Sequence, residues 1–195
     1  PDSVFIVGQV TTVYPYLGAP VPINDLDTAE VFINDPDAGL IKDVNVTIID
    51  LQHTYDDDLQ IVLVSPSGTE VALSNHRGDS DDDFVNTIFD DESATPISAG
   101  SAPFTGTFSP DGSLSAFDFE SPNGVWTLVI RDQVGADIGV LNDWSLEITY
   151  LIGAEEDVKV LAFWNFTNDS LFFCLANQDP WFRFHAAHDM IGHHD

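Results

Sequence analysis

Basic residues are scarce in this chain: five Lys and Arg stand against 33 Asp and Glu over 195 residues, a formal charge of −28 with His neutral. A phosphate backbone is gripped by clustered Lys and Arg, so nucleic-acid binding is excluded. Cysteine is nearly absent too. Cys174 stands alone, so no intrachain disulfide holds the fold, and another device must stabilise it outside a cell. No apolar run is long and unbroken enough to cross a bilayer as a helix, and no membrane span is expected. Amphipathic stretches of helical period are missing from residues 23–142. The chain opens at Pro1 with neither Met nor a leader, as expected of a mature chain that has lost its targeting segment. Apolar material, by contrast, is plentiful. Hydrophobic residues make up 44% and aromatic residues 11%, far above an acidic disordered tail. Such a chain folds, and its length suits one all-β domain with extensions.

Residues 4–14 are uncharged and β-prone and read as a strand, broken afterwards by Pro15, Gly18, Pro20 and Pro22. Further strands are expected at 29–33, 44–50, 59–64, 70–74, 104–108, 126–131 and 144–151. Apolar alternation is plainest at Val44, Val46, Ile48 and at Leu59, Ile61, Leu63. Ser65-Pro66-Ser67-Gly68 is a hairpin turn in which Pro66 presets φ and Gly68 takes a positive φ. Strands at this spacing predict an all-β fold, an antiparallel β-sandwich of jelly-roll type. The expected division is an N-terminal β arm over 1–20, a sandwich over 21–153 and an aromatic C-terminal extension over 154–195. The extension holds Phe163, Trp164, Phe166, Phe172, Phe173, Trp181, Phe182 and Phe184, with His185, His188, His193 and His194. Trp126 and Trp144 are expected in the core.

The central region resembles the P domain, or Homo B domain, of subtilisin-like proprotein convertases and of many secreted bacterial proteins. The resemblance lies in Ile41-Lys42-Asp43-Val44-Asn45-Val46, His53-Thr54-Tyr55 with Asp58-Leu59, and Leu63-Val64-Ser65-Pro66-Ser67-Gly68-Thr69. It continues through Phe89-Asp90-Asp91-Glu92, Phe104-Thr105-Gly106, Gly124-Val125-Trp126-Thr127-Leu128, Asp132 and Gly139-Val140-Leu141-Asn142-Asp143-Trp144-Ser145-Leu146. These runs keep the family's order over about residues 21–149. The resemblance implies a jelly-roll sandwich that binds calcium, has no catalytic residues and accompanies a protease domain. No subtilisin domain is expected ahead of it, and both ends carry extensions outside the family pattern.

Carboxylates cluster in three runs: Asp56-Asp57-Asp58, Asp79-Ser80-Asp81-Asp82-Asp83 and Asp90-Asp91-Glu92. Ca²⁺ takes six to eight hard oxygen ligands, which loops at one end of a sandwich can assemble from distant sequence. Asp56, Asp57, Asp58, Asp79, Asp81, Asp82, Asp83, Asp90, Asp91 and Glu92 are therefore the expected metal ligands, with Ca²⁺ the expected cofactor in an irregular site, since no run has EF-hand spacing. The alternative is a solvated, solubilising surface. Asn24-Asp25-Leu26-Asp27 and Asn34-Asp35-Pro36-Asp37 read as turn caps that could also supply ligands.

Enzymatic activity is not expected: there is no Gly-x-Ser-x-Gly elbow and no His-Glu-x-x-His pair. His53 is expected to be structural, holding its loop by hydrogen bonds. Asn45, Asn165 and Asn168 each open an N-x-S/T sequon, which suits a secreted, extracellular glycoprotein. An uncharged arm and an aromatic tail need cover. Either the arm edges its own sandwich, or it completes a sheet in a neighbouring copy and builds a homo-oligomer or filament. The expected function is accordingly structural or adhesive, through self-association of a calcium-stabilised sandwich. The alternatives are an accessory stabilising domain of a subtilisin-like serine protease, with that protease as partner, and a carbohydrate- or protein-binding module.

Overall fold

The computed structural model describes residues 8–152, and beyond them two strands by their backbone. Among the described residues twelve strands run in chain order: β1 Gly8–Pro15, β2 Val21–Ile23, β3 Thr28–Asp35, β4 Leu40–His53, β5 Leu59–Val64, β6 Glu70–Asn75, β7 Phe84–Phe89, β8 Phe104–Phe108, β9 Gly124–Asp132, β10 Gly139–Ile152, β11 Lys159–Asn165 and β12 Ser170–Ala176. The only helical pieces among the described residues are three short 3₁₀ turns, Asp56–Asp58, Ile97–Ala99 and Leu114–Phe117. None is long and apolar enough to cross a membrane.

Gln9–Leu151 form one compact unit. One of its sheets has the order β1-β10-β4-β7-β8, with β2 also on β10; the other has the order β3-β9-β5-β6. The all-β sandwich follows the sequence reading, with one refinement: β7 and β8 pair in parallel, so the first sheet is mixed. Alternation decides which face each strand buries. Val44, Val46 and Ile48 of β4 are 2% exposed or less and meet Leu59, Ile61 and Leu63 of β5, at 0%, in one core. Trp126 and Trp144 are fully buried there, and Phe117 meets the Trp126 ring edge-on at 5.1 Å. Removing either indole would cost about 3–5 kcal/mol. The turn after β5 closes as expected, with Gly68 N–H donating to the Ser65 carbonyl at 2.9 Å and Gly68 at φ +89°.

Four strands escaped the sequence reading, β11 and β12 in the C-terminal extension and β2 and β7 in this unit. In β7, apolar Phe84 and Phe89 are buried but Asn86 and Thr87 interrupt the alternation, because Asn86 bends at φ +50° and the pairing with β8 shifts register there. β2 is only three residues long. The arm edges its own sheet: β1 lies on β10, the Thr11 and Thr149 hydroxyls meet at 2.7 Å, and Tyr16 N–H donates to the Trp144 carbonyl at 2.9 Å. Of the expected strand over 4–14, residues 4–7 lie outside the described residues.

A second unit takes in Pro1–Gly8 and Ile152–Asp195. Within it β11 and β12 pair antiparallel, with Leu161 opposite Cys174 and Phe163 opposite Phe172. Phe166, Trp181, Phe182, Phe184 and the four tail histidines lie outside the described residues.

Candidate functional site

Asp56–Asp58 turn immediately before β5, and the loop 76–83 joins β6 to β7; both fall at the same end of the sandwich. Backbone bonds stitch them together. Asp56 N–H donates to the Asp81 carbonyl at 3.1 Å and Asp57 N–H to the Asp79 carbonyl at 3.3 Å, while His53 N–H donates to Asp83 Oδ1 at 3.0 Å. The loop folds tightly because His76, Asp79 and Asp83 adopt φ of 54°, 52° and 79°, which Asp tolerates better than most side chains. Gly78 is required twice over. Its φ is +112°, and a Cβ there would stand 2.7 Å from Cβ of Asp56.

What the loop closes over is Asp56. Its side chain is 0% exposed, and neither carboxylate oxygen has a hydrogen-bond partner. Burial is the largest cause that pushes its pKa up to about 8, and the carboxylates of Asp83, Asp82 and Asp81 add to it against a nearby backbone amide of Asp83. Asp58, 4% exposed, is also pushed up, first by burial and then by Asp132 and Asp137. The 3₁₀ turn thus deals its carboxylates to two sides. Asp56 faces the 79–83 loop, and Asp58 faces the end of β9. Asp79, Asp81 and Asp82 are exposed, and Asp57 and Asp83 are half-buried.

The third run lies elsewhere. Asp90, Asp91 and Glu92 follow the far end of β7, a strand of six residues that spans about 20 Å and begins just after Asp83. Asp91 is fully engaged as a cap, accepting from Ser113 Oγ at 2.9 Å, Leu114 N–H at 3.0 Å and Ser115 N–H at 2.8 Å. Asp90 Oδ1 accepts from Glu92 N–H at 2.7 Å, and the Asp90 side chain, by hydrogen bonding, is the main cause that raises Glu92. The second acidic stretch is mostly turn chemistry, as expected: Asp27 accepts from Thr28 N–H at 2.8 Å and Asp25 from Ala136 N–H at 3.1 Å.

Sequence reasoning missed two groups. Asp37 Oδ2 gathers the hydroxyls of Tyr14, of Tyr150 at 2.6 Å and of Thr12 at 3.3 Å, fastening β1 to β10. Nothing in the local pattern announces it, since the partners are 23 and 113 residues away. The other is Asp132, 4% exposed, whose Oδ2 faces His53 Nε2 at 3.5 Å. His53 itself is buried, with Nδ1 2.9 Å from the Tyr55 carbonyl oxygen. Of the sequons, Asn45 sits inside β4 and its Nδ2, the atom a glycan would occupy, donates to Asp43 and Glu147, both at 3.3 Å. Asn165 ends β11, of whose side chains nothing is described, and Asn168 lies outside the described residues.

Among the described residues no three His, Cys, Asp or Glu side chains stand preassembled as a metal cage. Calcium differs from zinc here, because backbone carbonyls and water fill much of its shell. A wholly buried carboxylate with two unpartnered oxygens, near enough to Asp83, Asp82 and Asp81 to feel their charge, is a donor of the hard, anionic kind such an ion takes.

With the geometry in place, the chain can be set beside known proteins. The family described as Proprotein convertase P-domain matches residues 41–148. A calcium-dependent protease of Nostoc sp. is 31% identical over 134 residues, covering 67% of this chain and 17% of that protein. Leupeptin-inactivating enzyme 1 of Streptomyces exfoliatus is 28% identical over 144 residues, covering 66% of this chain and 27% of its own. Among solved structures, the serine protease of Aeromonas sobria superposes with a TM-score of 0.48 at 19% identity, over 77% of this chain and 28% of that one. The chain therefore spans only a minor part of the length of these proteins.

Proposed function

The chain belongs to the proprotein convertase P-domain family, and from that premise we propose that it is a noncatalytic accessory domain that stabilises a subtilisin-like protease outside the cell. The observation that carries this reading is the match over residues 41–148, which takes in β4 to β10 and both loops around Asp56. Two points of support stand beside it. The relatives at 31% and 30% identity are named calcium-dependent proteases, and this chain covers 17% of each. The arm that motivated a filament already has a place at the edge of its own sheet.

Calcium is the clamp in this reading. Asp56 and Asp83 would hold it, with Asp81 and Asp82 beside them, and the ion supplies the positive charge that lets a buried carboxylate remain ionised. The chain's part is to keep that carboxylate dry and the loop folded over it, through Gly78 and the two backbone bonds to Asp79 and Asp81. Calorimetric titration of Ca²⁺ into the chelator-stripped chain tests this, together with thermal unfolding. Binding and a raised Tm in the wild type, both absent in Asp56→Asn, are expected. A Tm indifferent to both calcium and chelator would remove the clamp.

A further inference from the structure

We propose that His53, Asp132 and Asp58 form a second cation site, suited to a zinc-class divalent ion and separate from the oxygen-lined pocket at Asp56. His53 Nδ1 lies 2.9 Å from the Tyr55 carbonyl oxygen and 3.3 Å from the Tyr55 amide nitrogen. A carbonyl can only accept, so the shorter contact places the ring proton on Nδ1. In the neutral ring Nε2 then carries a lone pair. It faces Asp132 Oδ2 at 3.5 Å, an oxygen that in the ionised carboxylate can also only accept. Both residues are buried, 1% and 4% exposed, and neither of the facing atoms has a hydrogen-bond partner. Two lone pairs aimed at one another in a dry place call for a positive charge between them.

Zinc fits that gap. Two ligands on a tetrahedral ion at about 2.0–2.1 Å stand about 3.4 Å apart. An imidazole whose Nδ1–H donates to a backbone carbonyl presents Nε2 in the orientation metal-ligating histidines adopt. Asp58 is the third donor, 4% exposed and held near by its backbone: its carbonyl accepts from Gln133 N–H at 3.0 Å, and the next residue, Leu59, pairs with Asp132. Two donors stand ready and Asp58 turns inward as the ion enters, since no group of three is preassembled.

The site stands independently of the calcium clamp, and one experiment tells them apart. The chain, uniformly ¹⁵N-labelled and carrying Gln in place of His185, His188, His193 and His194, is saturated with calcium and titrated with zinc sulfate while the His53 ring nitrogens are followed by NMR. The Nδ1–H tautomer is expected before zinc, with an Nε2 shift complete near one equivalent. The shift should survive Asp56→Asn and weaken at least about tenfold in Asp58→Asn, which leaves His53 and Asp132 in place. An Nε2–H tautomer, an imidazolium that ignores about ten equivalents of zinc, or a response unchanged by Asp58→Asn overturns the site. A zinc response without any calcium binding would overturn the clamp alone.

Discussion

The two ends of this sandwich are both acidic and chemically opposite. At the end that holds residues 53–58 and 76–83, carboxylates are buried with nothing to bond to: both oxygens of Asp56 and one of Asp132 have no partner. At the other end Asp91 accepts three hydrogen bonds and Asp37 three hydroxyls. Asp35 alone breaks that second pattern, 1% exposed with Oδ2 unmet. A run of Asp residues thus says nothing about whether a carboxylate is a ligand or a cap. The supply of donors around it decides.

The largest expected effect separates the ends through Gly78. Gly78→Ala must hold a side chain at φ +112° and push Cβ against Asp56; strain and overlap together should cost about 3 kcal/mol, read by urea unfolding. Gly68→Ala, at φ +89° with open space around it, should cost about 1 kcal/mol less.

Calcium withdrawal comes next. An ion held at about a hundred times its Kd stabilises by about 2.7 kcal/mol, and that is the loss expected on adding chelator. The pH dependence carries a sign. In chelator, Asp56 has a folded pKa near 8 against an ordinary value of 3.8, so its contribution is fully present below pH 4 and is lost as pH rises through 8. Stability without calcium should therefore fall from pH 5 to pH 8. With calcium, the ionised form is the one bound, and the decline should flatten. Asp56→Asn should flatten it as well and be more stable than wild type in chelator at pH 8.

At the capped end the prediction has the opposite character. Asp91→Ala strips the donors at Ser113, Leu114 and Ser115 of their acceptor and should cost about 1–2 kcal/mol by thermal unfolding. Its calcium response should match the wild type. A lost calcium response in Asp91→Ala would mean that the third acidic run belongs to the metal site after all.

Much of this fold can be read in the chain itself, because period-two burial shows directly in Val44-Val46-Ile48 and Leu59-Ile61-Leu63, and turn chemistry in Pro66 and Gly68. β7 stayed hidden because its alternation breaks at Asn86, where the backbone leaves the extended region. The acidic loops were legible as a composition and not as a site. Which Asp is buried depends on Gly78 and on loops meeting across about 25 residues, and the pairing of His53 with Asp132 spans a greater separation still. Tertiary contacts of that range leave no local period to detect.

The smallest effect is at the arm. Tyr14→Phe removes one of three hydroxyls from Asp37 and should cost about 1 kcal/mol, because the charged acceptor keeps Tyr150 and Thr12. Those hydroxyls hold Asp37 below the ordinary carboxylate range, so its contribution is present above about pH 4 and lost as pH falls through the lower folded value. The deficit of Tyr14→Phe should shrink over the same interval in an unfolding series below pH 4. Asp35, two residues away, is pushed the other way by burial, so its contribution is lost as pH rises. Asp35→Asn should then leave the stability at pH 7 unchanged or raised, while Asp37→Asn lowers it: one turn carries both kinds of carboxylate, and only the donors around each set the sign.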